Sequence, residues 1–279
     1  QLNNEPIQLA EEEFENEVPE CIEGIPDKKI ICISIGNNII FYSINNKFEK
    51  LYSFPLKSKR KKCQTLRIKD DYLAAGFDDG SLKLYQINFN ENKINSLIEL
   101  SSDDNAHWKA INKIEFGEKN KIKFLITASG DGTCKLFDIT NQSTIKMITS
   151  FSFRQFSLET SNYYMRDIIY DNQKNICYTI QSPLDGESFL TKWDLNNVNS
   201  VVPIQTIKIS NTPCSSFSIT KDKKYLGIIN RKGLIVYVNT NNMCITSTDS
   251  LGENMLEVCK FYGDYLITGS VDYLLTINK

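Results

Sequence analysis

Four stretches of the chain share one pattern of hydrophobic and polar positions. Each has an apolar run, a tight turn rich in Gly, Asp or Asn, and a second run in which apolar and polar residues alternate. The stretches are YLAAGFDDGSLKLYQI (72–87), FLITASGDGTCKLFDI (124–139), YLGIINRKGLIVYVNT (225–240) and YLITGSVDYLLTINK (265–279). Alternation with a period of two is typical of β-strands, and Gly in the turn tolerates a positive φ. Each stretch therefore predicts a β-hairpin.

Further strand-like runs flank these hairpins. A run such as TLRI, INKIEF, SSFSI or EVCKF precedes each hairpin, and a fourth run, such as STIKMITSF or MCITSTDSL, follows most of them. The result is a repeat of four strands with a period of about 40 residues, which is typical of the blades of a β-propeller. The stretches KIICISIGNNIIFYSI (29–44) and ICYTIQSPLDGESFLTKWDL (176–195) fit the same pattern, the latter with a turn enlarged by SPLDGES. Trp193-Asp194 would then close the third strand of its blade, as Phe137-Asp138 does in the blade before.

The repeats predict an all-β chain that is a single domain over residues 1–279, a propeller of the WD-repeat type with degenerate repeats. Six units are visible, at about 20–44, 63–87, 111–139, 164–195, 214–239 and 256–278. The sixth unit has no outer strand of its own. We expect residues 5–10 to supply it by pairing beside 273–278, because joining the two chain ends removes exposed sheet edges.

Composition excludes several classes of function. The net charge of −2 and the pI near 5.7 give no general attraction to nucleic acid or to an acidic membrane. The sequence has no apolar run long enough to span a membrane. Eight cysteines without any Cys-x-x-Cys argue against a zinc site, and we expect them to be reduced, buried thiols; a disulfide framework is the alternative. The single histidine, His107, leaves little room for hydrolase chemistry.

The order of features along the chain resembles a known family. Six segments occur in a specific order: ISIGNNIIFYSI, DDYLAAGFDDGSLKLYQI, YYMRDIIYDNQKNICYTI, the SPLDGES turn, FLTKWDL and KKYLGIINRKGLIVYV. This order resembles that of the cytosolic propeller of the endoplasmic-reticulum exchange factors for Sar-family GTPases, the prolactin regulatory element-binding protein family. The resemblance covers roughly residues 15–279. Its most specific part is the pattern at 164–195, which ends in an L-T-x-W-D strand.

The resemblance implies a function. The chain would be a guanine-nucleotide exchange factor for a Sar-family small GTPase, initiating COPII coat assembly at the cytosolic face of the endoplasmic reticulum. It would not be an enzyme, would bind no nucleic acid, and would meet the membrane only through a C-terminal anchor outside this chain. Members of the family have seven blades, and relative to them one blade is absent here between Gln86 and Trp108. A seventh blade is expected if residues are missing from the chain.

The same resemblance suggests a contact site. Family members contact the GTPase through a long, potassium-binding loop in the first blade, a place held here by Gly36, Asn37 and Asn38. These three residues are the expected GTPase contact; no cofactor is required, although a potassium ion in this loop is implied. The alternative for the three residues is a plain hairpin turn. The alternative for the whole chain is a WD-repeat scaffold subunit of a multiprotein complex, without exchange activity.

Three charged or aromatic segments are further candidates. The basic run Lys57–Lys62 could contact anionic lipid, the acidic run Glu11–Glu20 could attract a basic partner, and an aromatic and basic cluster precedes the pattern at 164–195. That cluster consists of Arg154, Tyr163, Tyr164 and Arg166. A solvated loop, a solvated strand flank and a packed strand cap are the respective alternatives.

Overall fold

Antiparallel sheets make up nearly all of the described chain. A computed structural model describes residues 18–45, 48–56, 61–91, 93–153, 163–252, 255–271 and 275–278. Within these ranges the chain has 23 strands, and the one helical element whose residues are all described is the 3-10 turn Pro26–Lys28. The chain divides into two compact units, residues 1–111 with 142–145 and residues 112–141 with 146–279.

The first unit contains two four-stranded sheets, in each of which the strands lie in chain order. The first sheet consists of β1 (Pro19–Ile25), β2 (Ile30–Ile35), β3 (Asn38–Ile44) and β4 (Phe48–Pro55). The second consists of β5 (Cys63–Lys69), β6 (Tyr72–Phe77), β7 (Leu82–Asn90) and β8 (Lys93–Asp103).

The second unit contains four sheets with the same order of strands. The third sheet consists of β9 (Ile111–Lys119), β10 (Ile122–Ser129), β11 (Cys134–Asp138) and β12 (Lys146–Phe151). The fourth consists of β13 (Tyr164–Asp171), β14 (Ile176–Ser182), β15 (Ser188–Asp194) and β16 (Val202–Ser210). The fifth consists of β17 (Cys214–Ile219), β18 (Tyr225–Asn230), β19 (Leu234–Asn239) and β20 (Cys244–Ser250). The sixth has three described strands, β21 (Leu256–Tyr262), β22 (Tyr265–Ser270) and β23 (Leu275–Asn278).

The second strand is the most buried strand of most sheets, and for β14 and β18 neighbouring sheets of the same unit cover both faces. Strands β6, β14 and β18 are buried at all but one position each, whereas the outer strand β20 is exposed throughout. Apolar cores accordingly lie between consecutive sheets within a unit: first and second, third and fourth, fourth and fifth, and fifth and sixth. This is why the second strands read as nearly continuous apolar runs while the third strands alternate.

Trp193 lies in the core between the third and fourth sheets. Its ring centroid is 4.8 Å from that of Phe151 on β12, and its indole Nε1 donates a hydrogen bond to Thr179 Oγ1 at 2.7 Å. The bond satisfies the one polar group that this large side chain would otherwise bury unpaired. The expectation that Trp193 is a strand-end aromatic packed between neighbouring sheets is therefore confirmed, as is the strand end at Asp194.

A buried carboxylate connects the fourth sheet to the fifth. Asp167 on β13 accepts hydrogen bonds through Oδ2 from the Phe217 amide at 3.1 Å and from Ser216 Oγ at 3.0 Å. Asp167 Oδ1 accepts from the Ile168 amide at 2.8 Å. A buried carboxylate with three donors is compensated for its lost hydration, so it fixes the spacing of the two inner strands.

Each of the six units predicted from the sequence corresponds to one sheet. The segment between Gln86 and Trp108 forms the end of β7 and the whole of β8, the outer strand of the second sheet. No additional sheet lies there among the described residues, in agreement with the absent blade. The repeat pattern did not reveal β8, because β7 and β8 are long and two bulges interrupt their alternation. Residues 5–10, the expected closing strand, lie outside the described residues.

No helix among the described residues is both long enough and apolar enough to cross a membrane.

The eight cysteines are free thiols that differ widely in exposure. Six are buried, Cys21 is half-buried and Cys244 on β20 is exposed. Burial raises the pKa of the Cys214 thiol to about 12 and raises those of Cys134 and Cys177. A hydrogen bond from Cys63 lowers the pKa of Cys21, although burial opposes the effect.

These differences predict the order of thiol modification in the native protein at pH 8. Cys244 reacts first with a maleimide, Cys21 more slowly, and the six buried thiols only after unfolding, because the thiolate is the reactive form and must be accessible. In denaturant all eight react without prior reduction. Peptide mass mapping after timed labelling measures the order, and modification of Cys134 or Cys177 in the native state ahead of Cys244 would contradict it.

Candidate protein-binding site

The antiparallel order of strands brings several candidate residues to comparable positions. In the first sheet, Pro19 at the start of β1 pairs with Ile35 at the end of β2, and Ile35 pairs with Asn38 at the start of β3. The start of the first strand and the turn between the second and third strands therefore lie at one end of the sheet, which we call its turn end. The predicted contact turn, the Asp79 turn and Arg166 all lie at the turn ends of their sheets.

Gly36, Asn37 and Asn38 come together at the turn end of the first sheet. Gly36 and Asn37 form a two-residue turn, in which Gly36 has a φ of 50°, and Asn38 begins β3. The Asn37 carbonyl accepts a hydrogen bond from the Leu56 amide at 2.6 Å, while the side-chain amides of both asparagines make no hydrogen bond with the described residues. The turn is half-buried and short. Its role in contacting a GTPase stays a prediction.

The corresponding turn of the second sheet is held by Asp79. Its Oδ1 accepts from the amide and the hydroxyl of Ser81 at 3.0 and 2.6 Å, and its Oδ2 lies 2.7 Å from Lys61 Nζ. Burial acts to raise the pKa of Asp79, but the hydrogen bonds from Lys61 and Ser81 outweigh burial and lower it. In the third sheet Asp131 likewise accepts from the amide and hydroxyl of Thr133, at 2.9 and 2.7 Å. Both acids therefore stabilise turns.

The described part of the basic run is engaged in ion pairs. Lys61 lies 3.4 Å from Asp104 in addition to its contact with Asp79, and Lys62 Nζ lies 3.1 Å from Glu20 Oε1. Residues 57–60 lie outside the described residues, as do Glu11 to Glu17 of the acidic run. The proposed lipid contact of the basic run stays a prediction.

The loop between β8 and β9 presents Trp108 at the turn end of the second sheet. The His107 amide donates to the Gly80 carbonyl at 2.9 Å, and Ala106 and His107 are both buried. Trp108, the next residue, is 90% exposed. A Cβ added to Gly80 would lie 2.2 Å from the His107 carbonyl oxygen, so the loop contacts the hairpin backbone directly. The loop is thus fixed on one side of Trp108 while the indole faces solvent.

Sequence reasoning missed Trp108 because no periodic pattern includes it. The signal was nevertheless present: a tryptophan in the polar segment DDNAHWK, outside every predicted strand. Tryptophan is costly to expose, so its presence in a loop favours a binding role over a packing role once burial is excluded.

The described residues of the cluster predicted before the fourth unit are all half-buried and make different contacts. Tyr163 packs its ring against those of Phe153 and Phe189, with centroids 5.3 and 5.8 Å away. Arg166 lies with its guanidinium carbon 5.0 Å from the Tyr164 ring centroid. Arg154 lies outside the described residues. The packing alternative is therefore confirmed for Tyr163. It does not account for Arg166.

Metal-binding geometry is absent from the described residues, where no group of three or more His, Cys, Asp or Glu side chains is placed to hold an ion. The potassium ion implied for the first-blade loop is not tested by this observation, since backbone carbonyls can bind potassium.

Comparison with known proteins supports the fold. No family model and no curated protein sequence matches the chain. Among solved structures, Sqt1 from Saccharomyces cerevisiae, a WD-repeat protein, is similar with a TM-score of 0.66 and 15% sequence identity. The similarity covers 89% of this chain and 67% of that one. The fold is therefore a WD-type β-propeller, as the repeats predicted, and at this level of identity the likeness extends to the fold alone.

The contact between Gly80 and the His107 loop predicts a specific loss of stability. Replacing Gly80 with Ala places a Cβ against backbone atoms that cannot rotate away, and the φ of 87° adds strain. We expect the free energy of unfolding to fall by about 1–3 kcal/mol more than in a control with strain alone. Gly263→Ala is that control, because Gly263 has a φ of 59° and open space around it. Urea unfolding measures both variants, and equal losses would contradict the proposed contact.

Proposed function

We propose that this chain is a protein-binding module that assembles partners and performs no bond chemistry of its own. The observation that carries the proposal is Trp108, an almost fully exposed tryptophan on a loop whose preceding residues are buried and hydrogen-bonded to the Gly80 hairpin. Tryptophan is the residue type most enriched among those that dominate binding energy at protein interfaces.

The rigidity of the loop supports this function. A side chain displayed on a loop that is already ordered loses little conformational entropy when a partner covers it. The buried neighbours Ala106 and His107 hold the backbone in place before any partner arrives. Such a prepared apolar anchor suits a partner with an apolar pocket at its surface.

The fold is consistent with a binding role. WD-type propellers are usually non-enzymatic. Function nevertheless comes from sites and not from the fold. His107, the single histidine of the chain, is buried within the Trp108 loop.

A second, more specific candidate is nucleotide exchange on a Sar-family GTPase at the cytosolic face of the endoplasmic reticulum, in the initiation of COPII coats. The observation that favours it is the segment 164–195, whose enlarged turn and terminal Trp193-Asp194 carry the family resemblance. Exchange requires the nucleotide-free GTPase to be held more tightly than the nucleotide-bound one. Gly36, Asn37 and Asn38 are the proposed contact, with two side-chain amides available to a partner.

The protein-binding proposal predicts the effect of removing the indole. Trp108→Ala is expected to leave stability within about 0.5 kcal/mol, since the side chain is exposed, and to weaken partner binding at least about tenfold. The measurement is quantitative affinity capture from cells that make the protein, followed by titration of each captured protein in purified form.

The matched control is Ile98→Ala. Ile98 is an exposed apolar residue on β8, the outer strand of the same sheet. Partners that are lost with Trp108→Ala and retained with Ile98→Ala support the proposal. Unchanged capture by the Trp108 variant refutes it.

The exchange hypothesis has a direct assay. The wild-type chain is expected to accelerate release of a fluorescent GDP analogue from a purified Sar-family GTPase, and changing Asn37 and Asn38 to Ala is expected to slow that release by one to two orders of magnitude. Asn90→Ala is the control, because Asn90 lies at the end of the second sheet that is opposite to its turn end. Binding of the GTPase without acceleration would favour the scaffold. Acceleration that survives the double change would keep the function and remove the site.

A further inference from the structure

Three consecutive sheets of the second unit carry a β-bulge at the same position, near the start of their first strand. Met165 and Asp167 pair with adjacent residues of β14, so Arg166 between them is the extra residue. Ser215 on β17 and Glu257 on β21 are the extra residues of the fifth and sixth sheets. A bulge breaks the alternation of side chains between the two faces and redirects the extra side chain. The three bulges therefore present Arg166, Ser215 and Glu257 at the turn ends of neighbouring sheets.

Hydrogen bonds between sheets fix these bulges. Asn112 Nδ2, at the start of β9, donates to the Met165 carbonyl at 2.7 Å. Ser215 Oγ donates to the Leu256 carbonyl at 2.6 Å. Each bond joins a bulge to a neighbouring sheet. The backbone that carries Arg166 is therefore held in place. Fixed geometry of this kind is what a binding residue requires.

Arg166 has far fewer partners than its guanidinium can accommodate. Its one hydrogen bond with the described residues runs from an Nη to the Pro183 carbonyl at 3.5 Å, the upper limit for such a bond. Its Nε is buried without an acceptor, and no carboxylate of the described residues lies within 4.0 Å. A guanidinium has five N–H donors, so most of its capacity is unused.

The carboxylate within electrostatic reach of Arg166 is paired with another arginine. Glu257 pairs with Arg231, in the β18–β19 turn, with Arg231 Nε 3.2 Å from Glu257 Oε1 and an Arg231 Nη 3.5 Å from Oε2. Arg166 lies within electrostatic reach of both. Burial, and then the like charge of Arg231, lower the pKa of Arg166. Glu257 is therefore paired with Arg231, and Arg166 has no carboxylate partner among the described residues.

We propose that Arg166 binds a carboxylate side chain, Asp or Glu, of an acidic segment in a partner protein. The planar fork of a guanidinium matches the two oxygens of a carboxylate, whose negative charge balances the positive charge of Arg166. The Arg166 guanidinium carbon lies 5.0 Å from the Tyr164 ring centroid and its Nε is buried, so a ligand would have to bind through the Nη groups. Nucleic acid fits less well, because a net charge of −2 and one free guanidinium supply few phosphate contacts. The inference rests on the proposed protein-binding function.

The experiment is an NMR titration of the whole chain with a hexaglutamate peptide whose ends are blocked. The chain has five arginines, so their Nε–Hε signals can be assigned by single substitutions. We expect the Arg166 signal to shift and saturate with a dissociation constant on the order of 1 mM, and to weaken as salt is added. The Arg67 signal serves as an internal reference, because Arg67 is already paired with Glu23 at 2.8 Å.

Two substitutions separate the site from general charge attraction. Arg166→Gln is expected to reduce peptide affinity at least about tenfold, whereas Arg67→Gln leaves it unchanged. Arg166→Gln also removes the repulsion from Arg231, so its melting temperature is expected to equal or exceed that of the wild type. If Arg166→Gln fails to fold, the shift of the wild-type Arg166 signal against the Arg67 signal decides the question alone.

Several results would overturn the inference. An Arg166 signal that does not move with peptide, or equal losses of affinity in the Arg166 and Arg67 variants, would show that no specific carboxylate site exists. Inorganic phosphate that binds at Arg166 more tightly than the peptide at equal ionic strength would make this a phosphate site. Trp108→Ala, in the other unit, is expected to leave the titration unchanged, so failure of the Trp108 proposal and failure of this one are distinguishable.

Discussion

Face-to-face packing of consecutive sheets is the interaction on which the other features of each unit depend. The second strands β14 and β18 are buried between neighbouring sheets of their unit, and each fully buried large apolar side chain contributes about 1.5–3 kcal/mol to folding. The third and fourth sheets share a core that contains Phe124 and Trp193. Leu226 lies in the core between the fourth and fifth sheets, and Leu266 lies in the core between the fifth and sixth. Because these cores are shared, the sheets of a unit must order together.

Polar groups set the spacing that this packing leaves undetermined. Apolar contacts have no preferred direction, whereas the bonds of Asp167 to Ser216 and Phe217 and of Asn112 to the Met165 carbonyl have both direction and length. They lie close to the bulges that carry Arg166 and Ser215. The same bonds that align the inner strands therefore position the side chains at the turn ends.

The sequence predicts the strands directly but carries little information about the bulges, for a physical reason. Burial of both faces gives a continuous apolar run and burial of one face gives alternation, so hairpins such as 72–87 and 124–139 are visible directly. Bulges leave no such trace: nothing in YMRD distinguishes Arg166 from an ordinary outward-facing residue. The length of β8 was missed for the same reason. Gly36, Asn37 and Asn38 could be located as a turn, but whether a partner contacts them depends on a surface that the chain alone does not specify.

The two tryptophans give this protein two separate optical signals. Trp193 is enclosed and hydrogen-bonded to Thr179, so its emission reports the integrity of the core between the third and fourth sheets. Trp108 is 90% exposed, so its emission reports what covers the loop. Collisional quenchers reach the exposed indole and not the enclosed one. Occupancy of a surface and cohesion of the interior can thus be followed in one unlabelled sample by intrinsic fluorescence.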